Sequence, residues 1–526
     1  MSKQEQGVLA IGSGSMLDSL VKTWNEAGDF TLTVCTTDTE TPDHVAFTVY
    51  QEPNEQGRLT SNVTMKAERR DLKQDWCSII RPYRFILYAA QLENLAEWRD
   101  LQDACELEGK PLLPAITLRG VGLVGPLLDV DGSARPEAVW RSLHPTVFRS
   151  ENEQQSYSFS ALHILTNLVV HEYHREVSAG REGNCRDQCY ILDPNSLTGS
   201  WYSIRSHLFD VERGSKAACR ISAVDEVITA SNERMNESDW YTSFADMTSS
   251  SIGIFHKWEE AGIVQLPLAQ CMVQPIDPAS ESFVRLLPAI MCSGLTHEEA
   301  RRESGLAGLE AYAARLLPFL FPVSGNDHVA AIGVGAGCEA AEAVGRGIWA
   351  YLTKRLQDRI DHSRHGTSQM IVTRLRYEHV ADSRCQYYLQ SLCIMGDESI
   401  IAAGEPLLGY PVVWVYSRDN WYGSVDVDFT IALRHSLQKA LNQVEGHTSD
   451  LFLVQCEEDN SMNTVAIPPI PYPFTSAYWI ATVQRVLEKN KKGDSCFEIY
   501  DLHSSSFLGT EAFFVCGVRL REEGST

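Results

Sequence analysis

A glycine turn near the start of the chain constrains the fold more than any other feature of the sequence. The apolar run at residues 8–11 leads into Gly12 and Gly14, an amphipathic stretch follows, and a second apolar run at residues 31–35 stops shortly before Asp38. A strand, a glycine turn, a helix and a second strand with an acid after it form the start of a Rossmann-like βαβ unit. We therefore predict an α/β fold for the N-terminal part of the chain.

The ligand of this turn is harder to assign than its fold. Gly12 and Gly14 allow a phosphate or a neighbouring backbone to approach closely, and Asp38 follows near the interval of about 20 residues at which such an acid holds a ribose. The third glycine of the motif is replaced by Leu17. Two interpretations stay open: these residues bind a nucleotide such as ATP, or they are vestiges that serve only the fold, with Asp38 capping a strand.

Composition indicates a globular protein with at least two domains. Of the 526 residues, 44% are hydrophobic and 22% are charged, and one domain takes roughly 150 residues. The 45 basic and 69 acidic residues give a formal net charge of −24, which repels nucleic acids and anionic membrane surfaces. No apolar run approaches the roughly 18 residues of a membrane span, and the N-terminus has no targeting pattern. The sequence predicts a cytoplasmic protein without nucleic-acid or membrane partners.

Cysteines and histidines form two arrangements that superficially resemble metal sites. Cys185 and Cys189 enclose three residues instead of two, and no second pair follows at zinc-finger spacing. His163, His171 and His174 fall near one face of a predicted helix, but the last two lack the spacing of a His-Glu-x-x-His motif. This spacing favours ordinary thiols and a hydrogen-bonded histidine face, and we predict no metal site.

Strand and helix patterns alternate through the first two hundred residues. Strands and helices are predicted in the order strand 85–90, helix 92–107, strand 111–118, helix 158–177, and a closing strand pair at 190–193 and 200–203. The hydrophobic periodicity then lapses in polar sequence. We predict a first domain over 1–210, a polar linker or exposed helix over 211–255, and a second domain over 256–526.

Four segments together resemble a known family. They are residues 8–14, 112–116, 120–127 and 294–303. Their order is similar to that of the thiazole-containing bacteriocin maturation proteins, also called ocin-ThiF-like proteins, over nearly the whole chain. The resemblance implies an N-terminal ThiF-like Rossmann domain followed by a degenerate YcaO-like α+β domain.

The same resemblance implies a function and partners. Proteins of this family are accessories that gather a precursor peptide and a YcaO cyclodehydratase, which uses ATP to convert Cys, Ser or Thr of a ribosomal peptide into thiazoline or oxazoline rings. They usually carry a leader-binding peptide clamp ahead of the glycine turn, whereas the first strand here begins near Val8. We therefore expect the clamp to be absent or supplied by a separate leader-binding protein. The expected function is a scaffold that docks and activates the cyclodehydratase and helps to present its peptide, without catalytic residues of its own.

Three stretches of the C-terminal half resemble the YcaO helices whose glutamates bind ATP and magnesium. In the matched register one acid, Glu310, is retained. The other four carboxylate positions are occupied by Ala307, Ala350, Thr353 and Lys439, and the arginine position is occupied by Ala311. Mg²⁺ needs near-octahedral oxygen ligands at about 2.0–2.1 Å, so methyl groups cannot hold it and a lysine repels it. We predict a domain without ATPase activity; the alternative is that amphipathic helices agree with this register by chance.

Two other functions remain open. The first domain would be an ATP-dependent ThiF-like adenylating enzyme acting on a peptide carboxylate if Arg69, Arg70 and Lys73 neutralised phosphates, although such clusters are commonly solvated. A peptide-binding or immunity-type module would act without any cyclodehydratase. The proline-rich run at 468–473 is predicted as a connector to a last αβ unit.

Overall fold

Two parts of the chain each build a core of their own in the computed structural model. The N-terminal unit comprises Met1–Asp210 with Ser250–Gly253 and Ser280–Arg285, and the C-terminal unit comprises the remainder. The structure describes residues 6–27, 32–37, 63–65, 76–92, 95–129, 135–148, 157–178, 184–186, 188–203, 218–230, 237–280, 283–321, 332–365, 370–377, 379–396, 398–443, 447–448, 454–457, 465–472, 474–491, 495–502 and 512–522.

The N-terminal unit alternates strands and helices. In chain order its elements are β1 Gln6–Gly12, α1 Gly14–Ala27, β2 Leu32–Thr36, β3 Val63–Met65, α2 Trp76–Ile80, β4 Tyr83–Leu92, α3 Ala96–Glu108, β5 Leu112–Leu118, β6 Val121–Val124, α4 Pro136–Arg141, α5 Phe159–Ser178, β7 Gln188–Asp193 and β8 Thr198–Ser203.

These strands form one sheet in the order β3-β2-β1-β4-β5-β6-β7-β8. The first five are parallel in the Rossmann order, and β6 to β8 continue the sheet antiparallel. Residues of α1 and α5 pack in one apolar cluster against the sheet, and residues of α3 pack in another. The predicted α/β class is confirmed.

The strand predicted at 85–90 is longer than expected, and the helix after it begins later. β4 runs on to Leu92 because Gln91 and Leu92 pair with the last residues of β5. The helix predicted to begin at residue 92 therefore starts at Ala96. The start of an apolar helix cannot be separated from the end of an apolar strand by periodicity alone.

The C-terminal unit mixes helices with three sheets. Its elements are β9 Cys219–Arg220, α6 Val224–Ala230, α7 Glu237–Met247, β10 Phe255–Glu259, β11 Ala269–Asp277, β12 Arg285–Leu286 at the boundary of the units, β13 Ile290–Gly294, α8 His297–Leu320, β14 Gly333–Gly337, α9 Ala340–His365, β15 Met370–Arg374, α10 Ser383–Ile394, β16 Ile400–Leu407, β17 Tyr410–Ser417, β18 Asn420–Val425, α11 Phe429–Asn442, β19 His447–Thr448, β20 Val454–Glu457, α12 Ser476–Lys491, β21 Ser495–Asp501 and β22 Phe514–Glu522.

Two of the three sheets of this unit share an apolar core with α9. The four-stranded sheet has the order β14-β22-β21-β9, and the six-stranded sheet has the order β19-β18-β17-β16-β15-β20. Residues of α9 and α12 pack with residues of both sheets in a single cluster. In the third sheet, β10 and β13 both pair antiparallel with β11. α9 thereby acquires a fixed position, on which the site below depends.

The segment predicted as a linker or exposed helix contains two helices, α6 and α7. Trp240 and Phe244 of α7 are buried, and the ring of Phe244 stacks on Phe513 with centroids 4.4 Å apart. Polar residues around these aromatic side chains obscure the apolar face of the helix in the sequence. Over the part of the chain that the structure describes, no helix is both long enough and apolar enough to cross a membrane.

Candidate functional site

The glycine turn of the N-terminal unit is closely packed. A Cβ atom on Gly12 would lie 1.8 Å from the carbonyl oxygen of Ala89 in β4. The Ser13 N–H donates to that same oxygen at 3.2 Å, and the Thr37 N–H donates to the Gly12 carbonyl at 2.8 Å. Gly14 opens α1 with φ +59°, and its missing Cβ has no neighbour within 4 Å. Gly12 is thus explained by packing between β1 and β4.

For the other residues predicted to bind a nucleotide, the structure gives no position relative to this turn. Asp38 and the cations Arg69, Arg70 and Lys73 lie outside the described residues. Leu17, at the third glycine position, is buried. Nucleotide binding at Gly12, Gly14 and Asp38 stays a prediction, and so does its alternative of vestigial residues.

The histidines of α5 lie in different surroundings. His163 packs edge to face on Phe159 at 4.5 Å, His174 stacks on Trp24 at 6.2 Å, and His171 is exposed. Within the described ranges, no group of three or more His, Cys, Asp or Glu is placed to hold a metal ion.

The two nearby thiols are buried. Burial raises the pKa of Cys185 and raises that of Cys189 to about 12. Thiols with a raised pKa carry little thiolate and are poor nucleophiles at neutral pH.

A large cavity lies within the C-terminal unit. Its volume is about 1210 Å³, and it is lined by β13, the helices α8, α9 and α11, the first half of α10, and α12 with the segment that leads into it. Six carboxylates and five cationic side chains line it among the described residues. Most of these charges are paired with each other, and the pairs determine what the cavity can bind.

A cluster of one arginine and two glutamates joins α9 to α8 at the cavity. Arg346 donates through Nη1 to Glu303 at 2.6 Å and through Nε to Glu310 at 2.6 Å. The Ala336 N–H also donates to Glu310, at 3.1 Å. Burial raises the pKa of Glu310, whereas Arg346 and Arg302 offset the burial of Glu303 and lower its pKa. One guanidinium therefore holds two carboxylates at the place where they converge.

A second arginine neutralises the acid at the start of α9. Arg302 Nη2 lies 2.7 Å from both carboxylate oxygens of Glu342, and the Cys338 N–H donates to the same carboxylate at 3.0 Å. Burial opposes the charge of Arg302, but Glu342 and neighbouring groups more than offset this and raise its pKa. Arg302 therefore stays protonated, and Glu342 accepts from this cation instead of remaining open.

Two further arginines connect α10 and α11 to the proline-rich segment. Arg384 donates to Glu299 at 2.5 and 2.9 Å and lies 3.5 Å from the ring centre of Tyr472. Arg434 donates to Asp382 through Nε at 3.0 Å, and its Nη2 donates to Asp382 and to the Ile470 carbonyl. Although burial acts in the opposite direction, Arg434 and two main-chain donors hold the pKa of Asp382 at about 2.

The predicted connector at 468–473 therefore has an additional role. It leads from β20 to α12, and it is fixed on α10 and α11 through Ile470 and Tyr472. Tyr472 also lines the cavity. A proline run alone gave no indication of these contacts, because they depend on side chains distant in the sequence.

Only some of the positions predicted on the YcaO-like helices meet in this cavity. Ala307 and Lys439 line it, and Glu310 lies behind Arg346. Ala350 and Thr353 do not line it, whereas Glu342 and Arg346 are the charged residues of α9 that do. The structure thus places two of the matched positions away from the cavity, and the matched register did not include the arginines that pair with the acids.

Three buried polar atoms at the cavity have no hydrogen-bond partner in the described part of the chain. They are Trp349 Nε1, His435 Nδ1 and Arg434 Nη1. The rings of Trp349 and His435 are in contact, with centroids 4.8 Å apart. Buried polar groups are normally satisfied, so an unpaired set in one cavity indicates a place where a ligand acceptor or water binds.

His435 faces a second titratable group, Asp426, with Nδ1 and Oδ2 3.5 Å apart. Burial and the nearby Lys439 lower the pKa of His435 to about 4, and burial raises that of Asp426 from 3.8 to about 7. Both groups are therefore largely uncharged in mildly acidic solution.

Asp426 should make stability depend on pH. A carboxyl group whose pKa is higher in the folded than in the unfolded protein contributes most to stability when the pH is below its unfolded pKa. This contribution is lost as the pH rises from the unfolded pKa through the folded pKa. We expect Asp426→Asn to gain stability over the wild type progressively between pH about 4 and about 7. Urea unfolding across this range measures the difference. The exposed Asp419, changed to Asn, is the control; an equal pH dependence in both variants would contradict the assignment.

Comparison with solved structures gives the fold a context. The chain is similar to a heterocyclase solved in complex with substrate and cofactor, with a TM-score of 0.57 and 9% identity, over 99% of this chain and 81% of that one. It is also similar to the heterocyclase TruD, with a TM-score of 0.51 and 10% identity, over 99% of this chain and 80% of that one. No family model and no curated protein matches its sequence. The chain thus has the fold of these heterocyclases over nearly its full length.

Proposed function

We propose that this chain is a non-catalytic partner of a YcaO cyclodehydratase in the biosynthesis of thiazole- or oxazole-modified ribosomal peptides. It would dock and activate the catalytic subunit and help to present the precursor peptide, as in bacteriocin maturation. The heterocyclase fold supports the class of pathway. The observation that carries the non-catalytic role is the pairing of Arg346 with Glu303 and Glu310.

Two arginines compete with a metal ion for the carboxylate oxygens of this cavity. A magnesium nucleotide complex needs carboxylates that are free to face the metal. Glu303 and Glu310 share one guanidinium, and Glu342 accepts from another. Arginine stays protonated at any physiological pH, and its planar fork matches a carboxylate. A metal could bind only after these charge-assisted bonds broke, which would leave the guanidinium groups beside a second cation.

A partner without turnover can still accelerate a reaction. Holding precursor peptide and enzyme in one assembly raises their effective concentration to the millimolar range. Assembly also shifts the enzyme toward its competent state if the contacts favour that state. The formal net charge of −24 suits a basic docking face on the partner.

Reconstitution tests this function. Precursor peptide, cyclodehydratase and Mg-ATP are mixed with and without the chain, and the loss of one water per ring is followed by mass spectrometry. We expect at least about a tenfold rise in initial rate, because tethered partners gain about 10²–10⁴ in avidity. An equal amount of an unrelated acidic protein serves as the control.

Calorimetric titration of the chain alone with Mg-ATP completes the test. We expect no binding and no ATP hydrolysis. Tight binding together with turnover would contradict the non-catalytic role. An unchanged rate of ring formation would contradict the role of an accessory.

A further inference from the structure

The strand β13 contributes an open edge to the cavity. In an antiparallel pair, opposite residues alternate between hydrogen-bonded and non-hydrogen-bonded pairs. Ser293 of β13 lies opposite Gln270 of β11, whose own N–H and C=O bind the side-chain amide of Gln265 at 2.7 and 3.0 Å. This pair is therefore a non-hydrogen-bonded one. The Ser293 carbonyl points to the outer edge, where Gln438 Nε2 donates to it at 2.7 Å.

Met291 occupies the corresponding position two residues earlier. By the period of two, its N–H and C=O also point to the outer edge of β13. In the described part of the chain no hydrogen bond reaches either atom from outside the sheet. The side chain of Met291 is 43% exposed, and the residue lines the cavity. Unpaired main-chain groups on a strand edge are a template for another strand.

The charges of the cavity select against an anionic occupant. Six carboxylates face five cations around it, and two more acids, Glu310 and Asp382, lie behind the arginines. A triphosphate would add several negative charges to this balance. A peptide main chain is neutral, and its carbonyl groups are acceptors of the kind that Trp349 Nε1 and Arg434 Nη1 lack.

We propose that this cavity binds an extended peptide segment without carboxylates, which pairs through its main chain with the outer edge of β13. The volume of about 1210 Å³ exceeds the range of about 300–1,000 Å³ typical of small-molecule pockets. That the segment belongs to a precursor peptide rests on the proposed function; the binding mode does not. Gln438 already makes one contact of the type expected from an added strand, since its amide binds the Ser293 carbonyl.

Met291 offers a matched pair of variants. Proline has no N–H and is tolerated at a strand edge where the N–H points outward, so Met291→Pro removes the edge donor and leaves the pairing with β11 intact. Met291→Val retains the N–H and suits a strand. Trp349→Phe removes an unpaired N–H and keeps an aromatic ring. Circular dichroism and thermal unfolding establish that each variant is folded.

The probe is a mixture of random octapeptides with acetylated and amidated ends. The full-length chain is immobilised, and the retained peptides are identified and quantified by mass spectrometry. We expect the wild type and Met291→Val to retain peptides depleted in Asp and Glu. We expect Met291→Pro to retain about tenfold less or lower, which corresponds to about 1.4 kcal/mol, and Trp349→Phe to retain less than the wild type. N-methylation of alternate residues in a retained peptide should abolish its binding.

Equal retention by the proline and valine variants would contradict the proposal, as would a retained set rich in Asp and Glu. Failure of the proposed function gives a different result. Peptide retention that depends on Met291, without any acceleration of ring formation, would refute the accessory role and leave the peptide site standing. Acceleration of ring formation that is unaffected by Met291→Pro would refute the peptide site and leave the accessory role standing.

Discussion

Arg346→Ala is expected to lower the free energy of unfolding of the C-terminal unit by about 3–5 kcal/mol, the range found when one partner of a buried ion pair is removed. The side chain is 9% exposed, and it is the shared donor to Glu303 and Glu310. Its loss leaves two carboxylates close together without a cation between them. Urea unfolding followed by tryptophan fluorescence measures the change.

Two variants give this prediction a control and a test of cause. Arg359→Ala breaks an ion pair with the exposed Glu405 and should cost less than about 1 kcal/mol. Replacing all three charges, with Arg346→Met, Glu303→Gln and Glu310→Gln together, should recover much of the stability, because no buried charge then lacks a partner. A triple variant as unstable as Arg346→Ala would show that the guanidinium acts through packing and not through its charge.

The parts of the fold that could be predicted from the sequence are those with local signals. In the N-terminal unit, apolar strands, glycine turns and amphipathic helices alternate at short range, and this alternation predicts a Rossmann-like sheet. α7 was harder to recognise, since the burial of Phe244 depends on Phe513, which lies far along the chain. Contacts of that kind leave no periodic pattern.

The candidate site was predicted only in part, for a reason that α9 illustrates. Helical periodicity identifies which face of a helix is apolar or functional, but it repeats at every turn. Thr353 lies on nearly the same face as Arg346, about two turns further along, so the pattern alone could not distinguish them. The pairing of Arg346 with two acids of α8 is a tertiary contact. The proposed absence of magnesium binding therefore rests on that pairing and not on the matched positions.

Gly12→Ala is expected to destabilise the N-terminal unit by more than about 4 kcal/mol, a size reserved for severe steric or burial defects. The new Cβ would lie 1.8 Å from the carbonyl oxygen of Ala89, so β1 and β4 would have to separate where Ser13 also donates to that oxygen. Gly14→Ala is the matched control, because its Cβ meets no atom and only the left-handed backbone costs about 1–2 kcal/mol. Thermal unfolding with and without Mg-ATP measures both. If Gly12 serves the fold, its variant unfolds at a lower temperature than the wild type whether or not nucleotide is present. A Gly12→Ala protein that is as stable as the wild type without nucleotide, but is no longer stabilised by nucleotide, would show that this glycine contacts a phosphate.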